Sequence, residues 1–132
     1  MSEEYVRASE EKWASKVMAV GRVPLVNLAE GIDTRIVPGD NLTLSFVRLA
    51  AHAVGKMHSH PHEQMIVVLE GHVDVVIEGE SYALKTGEVI GIPGDAEHGA
   101  IAGEKECQVL EIFTPAREDF EEKLKQAIAA QG

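Results

Sequence analysis

Three things are scarce in this chain: basic residues, cysteine, and long apolar runs. Twelve Lys and Arg stand against twenty-two Asp and Glu, for a formal charge of −10. Nucleic-acid binding needs clustered Lys and Arg against phosphates, so that balance argues against it. The same shortage argues against an anionic membrane surface. It does not exclude an anionic small molecule, because the local field inside a pocket can oppose the net charge. Cys107 is the only cysteine, so no intramolecular disulfide can form. It lies in an alternating apolar run over 106–113 and is expected to be a small buried hydrophobe. No run approaches the ~18 apolar residues of a membrane helix. The start, Met1-Ser2-Glu3-Glu4-Tyr5, has neither a basic region nor an apolar one. No secretory signal is expected from it, and a cytoplasmic location is the expectation.

What is present reads as one globular domain over 1–132, with 45% apolar residues. Residues 1–16 are polar around Trp13 and read as an N-terminal arm. From Val17 onward, short apolar runs alternate with Gly, Pro, Asn and Asp about every ten residues, the pattern of an all-β sandwich or barrel. Strands are expected at 16–20, 23–28, 34–37, 43–53, 56–60, 65–70, 72–77, 80–84, 88–92, 98–102 and 107–114. Turns fall at Pro38-Gly39-Asp40-Asn41, Glu78-Gly79, Lys85-Thr86-Gly87 and Pro93-Gly94-Asp95. Nothing reads as a βαβ unit, which excludes an open parallel sheet. Over 116–130, Phe120, Leu124 and Ile128 recur every four residues amid Glu and Lys. That spacing predicts an amphipathic C-terminal helix with Glu121, Glu122, Lys123 and Lys125 on its wet side.

The chemistry concentrates in His58-Ser59-His60-Pro61-His62-Glu63-Gln64, just ahead of an apolar run. In an extended segment, positions 58, 60, 62 and 64 share one side. Imidazoles and a carboxamide oxygen in a row on a buried strand point to a transition metal. Alternation favours Gln64 over Glu63 as the oxygen donor, although Pro61 sits where it can break the phase. His62 shares the parity and either joins the site or swings out at Pro61. His98, after the Pro93-Gly94 turn, completes the set if its strand folds back beside 58–64. His72 reads as exposed, His52 as interior or supporting, and Arg48 and Tyr82 as interior polar candidates. Met57 and Met65 fall on the odd phase and read as core.

Gly55, His58-x-His60, Gln64 and Gly71 resemble the first motif of the cupins, with Gln64 where Glu is usual. The run from Gly87 to His98 resembles the second, with Asp95 in place of Gly and Ala102 in place of Asn. The resemblance implies a double-stranded β-helix, or jelly-roll barrel, over 17–114. It also implies a homodimer, and one divalent metal ion (Ni, Fe, Mn or Zn) held by His58, His60, Gln64 and His98. A narrower likeness links the histidine stretch and the later Phe113-Thr114-Pro115-Ala116-Arg117 to small bacterial cupins of pectin degradation, which ketonise 4,5-unsaturated uronates. It implies catalytic roles for Glu111, Phe113 and Arg117, with Glu111 replacing an Asp.

Those roles fit the chemistry of the donors. Four neutral ligands leave the metal its full charge, which favours Lewis-acid work over redox tuning. Glu111 is then the proton shuttle, Arg117 the partner of a substrate carboxylate, and Phe113 a wall for a sugar ring. Plainer roles remain open at this stage: Glu111 as an exposed strand residue, Arg117 paired with Glu118 or Glu121, Phe113 as core. The expectation is a metal-dependent enzyme acting on a small, anionic substrate, an isomerase of unsaturated uronates by the narrower likeness. An Fe-dependent dioxygenase and a non-catalytic metal- or sugar-binding module are the alternatives.

Overall fold

The computed structural model describes residues 17 and 19–131, so the expected arm over 1–16 lies outside the described residues. Of the strand expected at 16–20, residues 16 and 18 lie outside them too, while Val17 and Ala19 are in no strand and Val20 opens a 3-10 turn at Val20–Arg22. Ten strands follow: β1 Val26–Ala29, β2 Ile32–Pro38, β3 Thr43–Leu49, β4 Val54–His58, β5 Glu63–Glu70, β6 His72–Ile77, β7 Glu80–Lys85, β8 Val89–Ile92, β9 His98–Ala102 and β10 Cys107–Thr114. The chain closes with helix α1, Glu118–Ala130.

The strands form two antiparallel sheets, ordered β1-β2-β3-β10-β5-β8 and β4-β9-β6-β7. The architecture is therefore a jelly-roll sandwich of two separate ladders rather than one closed barrel. Its core lies between the sheets. Period-two alternation in β10 sends Cys107, Val109 and Phe113 inward, where they are buried. Val47 faces Val109 from β3, and Val68 faces it from β5. Val73, Val75 and Ala102 close the other side from the second sheet. Burial pushes the Cys107 thiol up, so it stays protonated as a small apolar filler.

Helix α1 packs on β1 and β2. Its first turn carries Glu118, Asp119 and Glu121, charges that oppose the positive end of the helix dipole. Leu124 is fully buried in a second cluster with Ile36, Phe113 and Phe120. Leu124→Ala is expected to lower unfolding free energy by about 2–5 kcal/mol, since the cavity adds to the lost transfer energy. Urea unfolding checks this. A loss under about 1 kcal/mol would mean that the helix contributes little to the fold.

Several expectations are corrected by burial. The strand expected over 43–53 stops at Leu49, because the chain turns at Ala50–Ala53 with His52 at φ 63°. His52 is exposed in that turn rather than interior. Arg48 points outward to Asp33 and Glu106 at 3.5 and 3.1 Å. Tyr82 is 43% exposed on edge strand β7. Met57 and Met65, read as core, are 44% and 46% exposed. Met65 shares the outward face of the larger sheet with Ile112, Leu44, Leu110 and Phe46, as their register shows. Alternation separates the two faces of a sheet, but it does not say which face is covered.

Candidate metal centre

His58 ends β4 and His98 begins β9, and the two are direct partners across the ladder, with their rings 4.4 Å apart. His60 lies in the loop between β4 and β5, its ring 4.9 Å from that of His98. One ligand nitrogen from each of the three lies within 4.8 Å of the others. Gln64, on β5 opposite Phe113 and Ile92, is buried, and its Oε1 lies 3.0 Å from His60 Nε2. Glu63 beside it is exposed.

Two glycines permit this convergence. A Cβ on Gly94 would sit 2.4 Å from the Pro61 carbonyl oxygen, and one on Gly99 would sit 2.6 Å from that of Gly55. Both contacts are with backbone, which cannot step aside. The first lets the turn before His98 lie on the His60 loop, where the Asp95 N–H donates to the His60 carbonyl at 2.7 Å. The second lets β9 approach β4. A bulge between Gly55 and His58 then re-aims the end of β4.

For His58 and His98 the hydrogen bonds settle the tautomer. His58 Nδ1 donates to the Lys56 carbonyl at 2.8 Å and His98 Nδ1 to that of Ala96 at 2.9 Å, while His60 Nδ1 lies 3.1 Å from that of His62. A carbonyl only accepts, so Nδ1 of His58 and His98 carries the proton and their Nε2 keeps a lone pair, whereas His60 faces an oxygen on both sides, the His62 carbonyl at Nδ1 and Gln64 Oε1 at Nε2. His98 Nε2 is buried and has no hydrogen-bond partner among the described residues, a costly state unless something else binds it. Backbone-anchored Nδ1–H with a free Nε2 is the arrangement of metal-ligating imidazole. Burial, with Arg117 and the neighbouring rings adding to it, pushes His60 below its ordinary pKa. Burial does the same to His98, against the Ala96 hydrogen bond. Both are therefore neutral donors at neutral pH. The residues present fit a divalent transition metal held by three imidazole nitrogens and the Gln64 oxygen.

Around this centre lies a cavity of about 360 Å³ lined by His58, Gln64, His98, Glu111, Phe113 and Arg117, among others. Phe113 is fully buried, edge-on to His60 at 5.6 Å and to Phe120 at 5.4 Å. Glu111 follows it inward on β10, and burial raises its carboxyl to about 7 despite the opposing charge of Arg117. The Arg117 guanidinium lies 3.8 Å from the Phe120 centroid and 4.8 Å from that of Phe113. Its partner is Asp119, not Glu118 or Glu121: Nε and Nη2 donate to the two carboxylate oxygens at 3.1 and 2.6 Å. Burial pulls Asp119 upward, but Arg117 and nearby backbone N–H groups hold it below its ordinary value. The Arg117 backbone N–H also donates to buried Thr43 at 2.8 Å, tying the helix start to β3. Sequence patterning missed Asp119, since nothing local distinguishes it from its acidic neighbours. His62 lies 5.4 Å from His60, outside the three-histidine cluster, and serves the site through its carbonyl.

The cupin domain model matches residues 45–113, more than half of the chain. The chain belongs to the cupin family. The pectin degradation protein KdgF of Dickeya dadantii (strain 3937) is 35% identical over 99 residues, covering 74% of this cupin and 90% of that protein. The solved structure of KdgF from Halomonas sp. superposes with a TM-score of 0.69 at 33% identity, over 73% of this cupin and 89% of that chain. An RmlC-like cupin from Shewanella frigidimarina gives 0.74 at 23% identity, over 90% and 96% of the two chains, and shows the shared fold.

Proposed function

We propose that this cupin is a metal-dependent enzyme that moves a proton between oxygen and carbon of a small enol-bearing carboxylate, 4,5-unsaturated uronates being the first substrates to try. The observation that carries the proposal is the position of Glu111. It is a half-buried carboxyl, raised by desolvation to about 7, lining the same cavity as His58 and His98 of the three converging imidazoles. A general acid–base works best when its pKa lies near the working pH, so that both forms are populated. The similarity to a pectin degradation protein supports uronates as the substrate class.

His58, His60, Gln64 and His98 would hold a divalent ion, which would supply Lewis-acid stabilisation of negative charge on oxygen. Glu111 holds the proton that is delivered to carbon. Arg117 presents Nη1 to the substrate carboxylate, because its Nε/Nη2 edge is taken by Asp119. Phe113 and Phe120 hold the guanidinium plane in place.

Metal-loaded protein is expected to speed loss of the vinyl proton signal of 4,5-unsaturated galacturonate, followed by NMR, at least a hundredfold over buffer with equal metal, the low end for a positioned acid–base. No acceleration at full metal occupancy ends the uronate reading. Oxygen uptake with candidate diols, without ketonisation, would favour the dioxygenase alternative.

A further inference from the structure

We infer that the cavity is built for acids with an apolar body, and that this cupin ketonises enols of 2-oxo acids bearing an aromatic or branched aliphatic side chain. The turnover part rests on the proton-transfer reading above. The binding part does not.

The cavity wall divides into two regions. Its polar groups gather where β4, β5 and β9 bring Lys56, His58, Gln64 and His98 together, with Glu111 and Arg117 beside them. Beyond Glu111 the wall is aliphatic: Ile32, Val47, Leu49, Ile66, Val75 and Val109. Register shows how abruptly this happens. Glu111 lies opposite Ile66, while the next inward residue of β10, Val109, lies between Val47 and Val68. Val47 neighbours Thr34 on β2, but the Thr34 hydroxyl is already paired with Ser45 at 2.5 Å. No wall residue beyond Glu111 in this set of six offers a hydrogen bond.

A polyhydroxylated ring pushed into that region would leave its hydroxyls unpaired against Val and Ile, whereas an aryl or alkyl group would gain by leaving water. The fitting substrate places its carboxylate and enol at the polar end and its apolar body along the aliphatic wall. An enol of a 2-oxo acid meets both demands. Glu111 in its acid form gives its proton to C3, where the C=C electron pair forms the new C–H bond; the enol oxygen supplies the pair that makes the C2=O bond, and its O–H proton leaves to solvent. Solvent then returns a proton to Glu111. No oxidant, reductant or second substrate is needed.

The test uses the metal-loaded protein with the enol of phenylpyruvate, followed by decay of its ultraviolet absorbance. A second arm follows the methyl NMR signals of Ile66 and Val75 on titration with the unreactive acid 3-phenylpropanoate, and with galacturonate at equal concentration. The expected result is ketonisation at least tenfold faster than buffer with equal metal, with wall methyls shifted by phenylpropanoate more than by galacturonate. Val75→Thr is expected to lower the ratio of kcat/KM for phenylpyruvate to that for the unsaturated uronate at least fivefold. If the wild type ketonises the uronate yet neither ketonises phenylpyruvate nor shows the methyl shifts, the inference is overturned and the proton-transfer reading stands. Shifts without turnover of either substrate overturn the activity together with that reading.

Discussion

His98→Ala is expected to hold less than a tenth of the wild-type metal after dialysis, and to lose turnover in proportion. Losing a supporting group around a metal ligand already costs about 10–100-fold in affinity, and removing the ligand itself should cost no less. The truncation leaves His58 and His60, whose rings are 5.6 Å apart, with Gln64 as the remaining oxygen donor. The side chain removed is the one whose buried Nε2 has no partner among the described residues, so a folding defect is not the expected consequence. Elemental analysis of dialysed protein measures the first effect. A thermal scan measures its linkage: added metal should raise the melting temperature of the wild type by mass action and leave that of the variant nearly unmoved. Wild-type stoichiometry in the variant would refute the centre.

Glu111→Gln should do the opposite to metal and the same to turnover. Metal stays, because Glu111 is not among the clustered donors, while turnover falls by about 10²–10⁴-fold, the range for a lost general acid–base. The same carboxyl links activity to stability. Its folded pKa, about 7, lies above its ordinary value of 4.5. Between those values the native state holds a proton that the unfolded chain has released. Stability from this group is therefore complete at low pH and declines as pH rises from about 4.5 to 7, with the whole penalty present above 7. The displacement corresponds to roughly 3 kcal/mol at most. In urea unfolding of the chelated protein, Glu111→Gln should be more stable than the wild type at pH 8, with the gap narrowing at pH 5. Equal stability at both pH values, or unchanged turnover, would make Glu111 an ordinary strand residue. A gain in stability with a loss of activity is the exchange expected where a site stores an unfavourable charge.

Strands at 72–77, 98–102 and 107–114 match their observed bounds, because alternation and flanking turns are local properties. The strand at 43–53 was overextended, because the turn at Ala50–Ala53 contains no Gly or Pro, and His52 takes positive φ without either. The histidine stretch teaches the subtler lesson. Alternation along one strand groups positions 58, 60, 62 and 64, yet β4 ends at His58 and β5 begins at Glu63. His60 comes into place through a loop, held by the Asp95 N–H and by the Gly94 contact. The structure keeps 58, 60 and 64 together and leaves His62 out, and the cause is a contact between turns more than thirty residues apart.

By itself, the sequence determined that this chain is an all-β jelly roll with a terminal amphipathic helix, and that its nitrogen-rich chemistry lies in one short stretch and His98. Periodicity, turn residues and motif spacing are written along the chain and need no third dimension. The tertiary structure alone decided which nitrogen of His58 and His98 is free, that Asp119 holds Arg117, that burial raises the Glu111 carboxyl to about 7, and that the cavity beyond it is aliphatic. Each of these depends on which backbone carbonyls, charges and side chains of distant strands are brought together, and on how much water they exclude. Register across the sheets sets that, and no local pattern carries it.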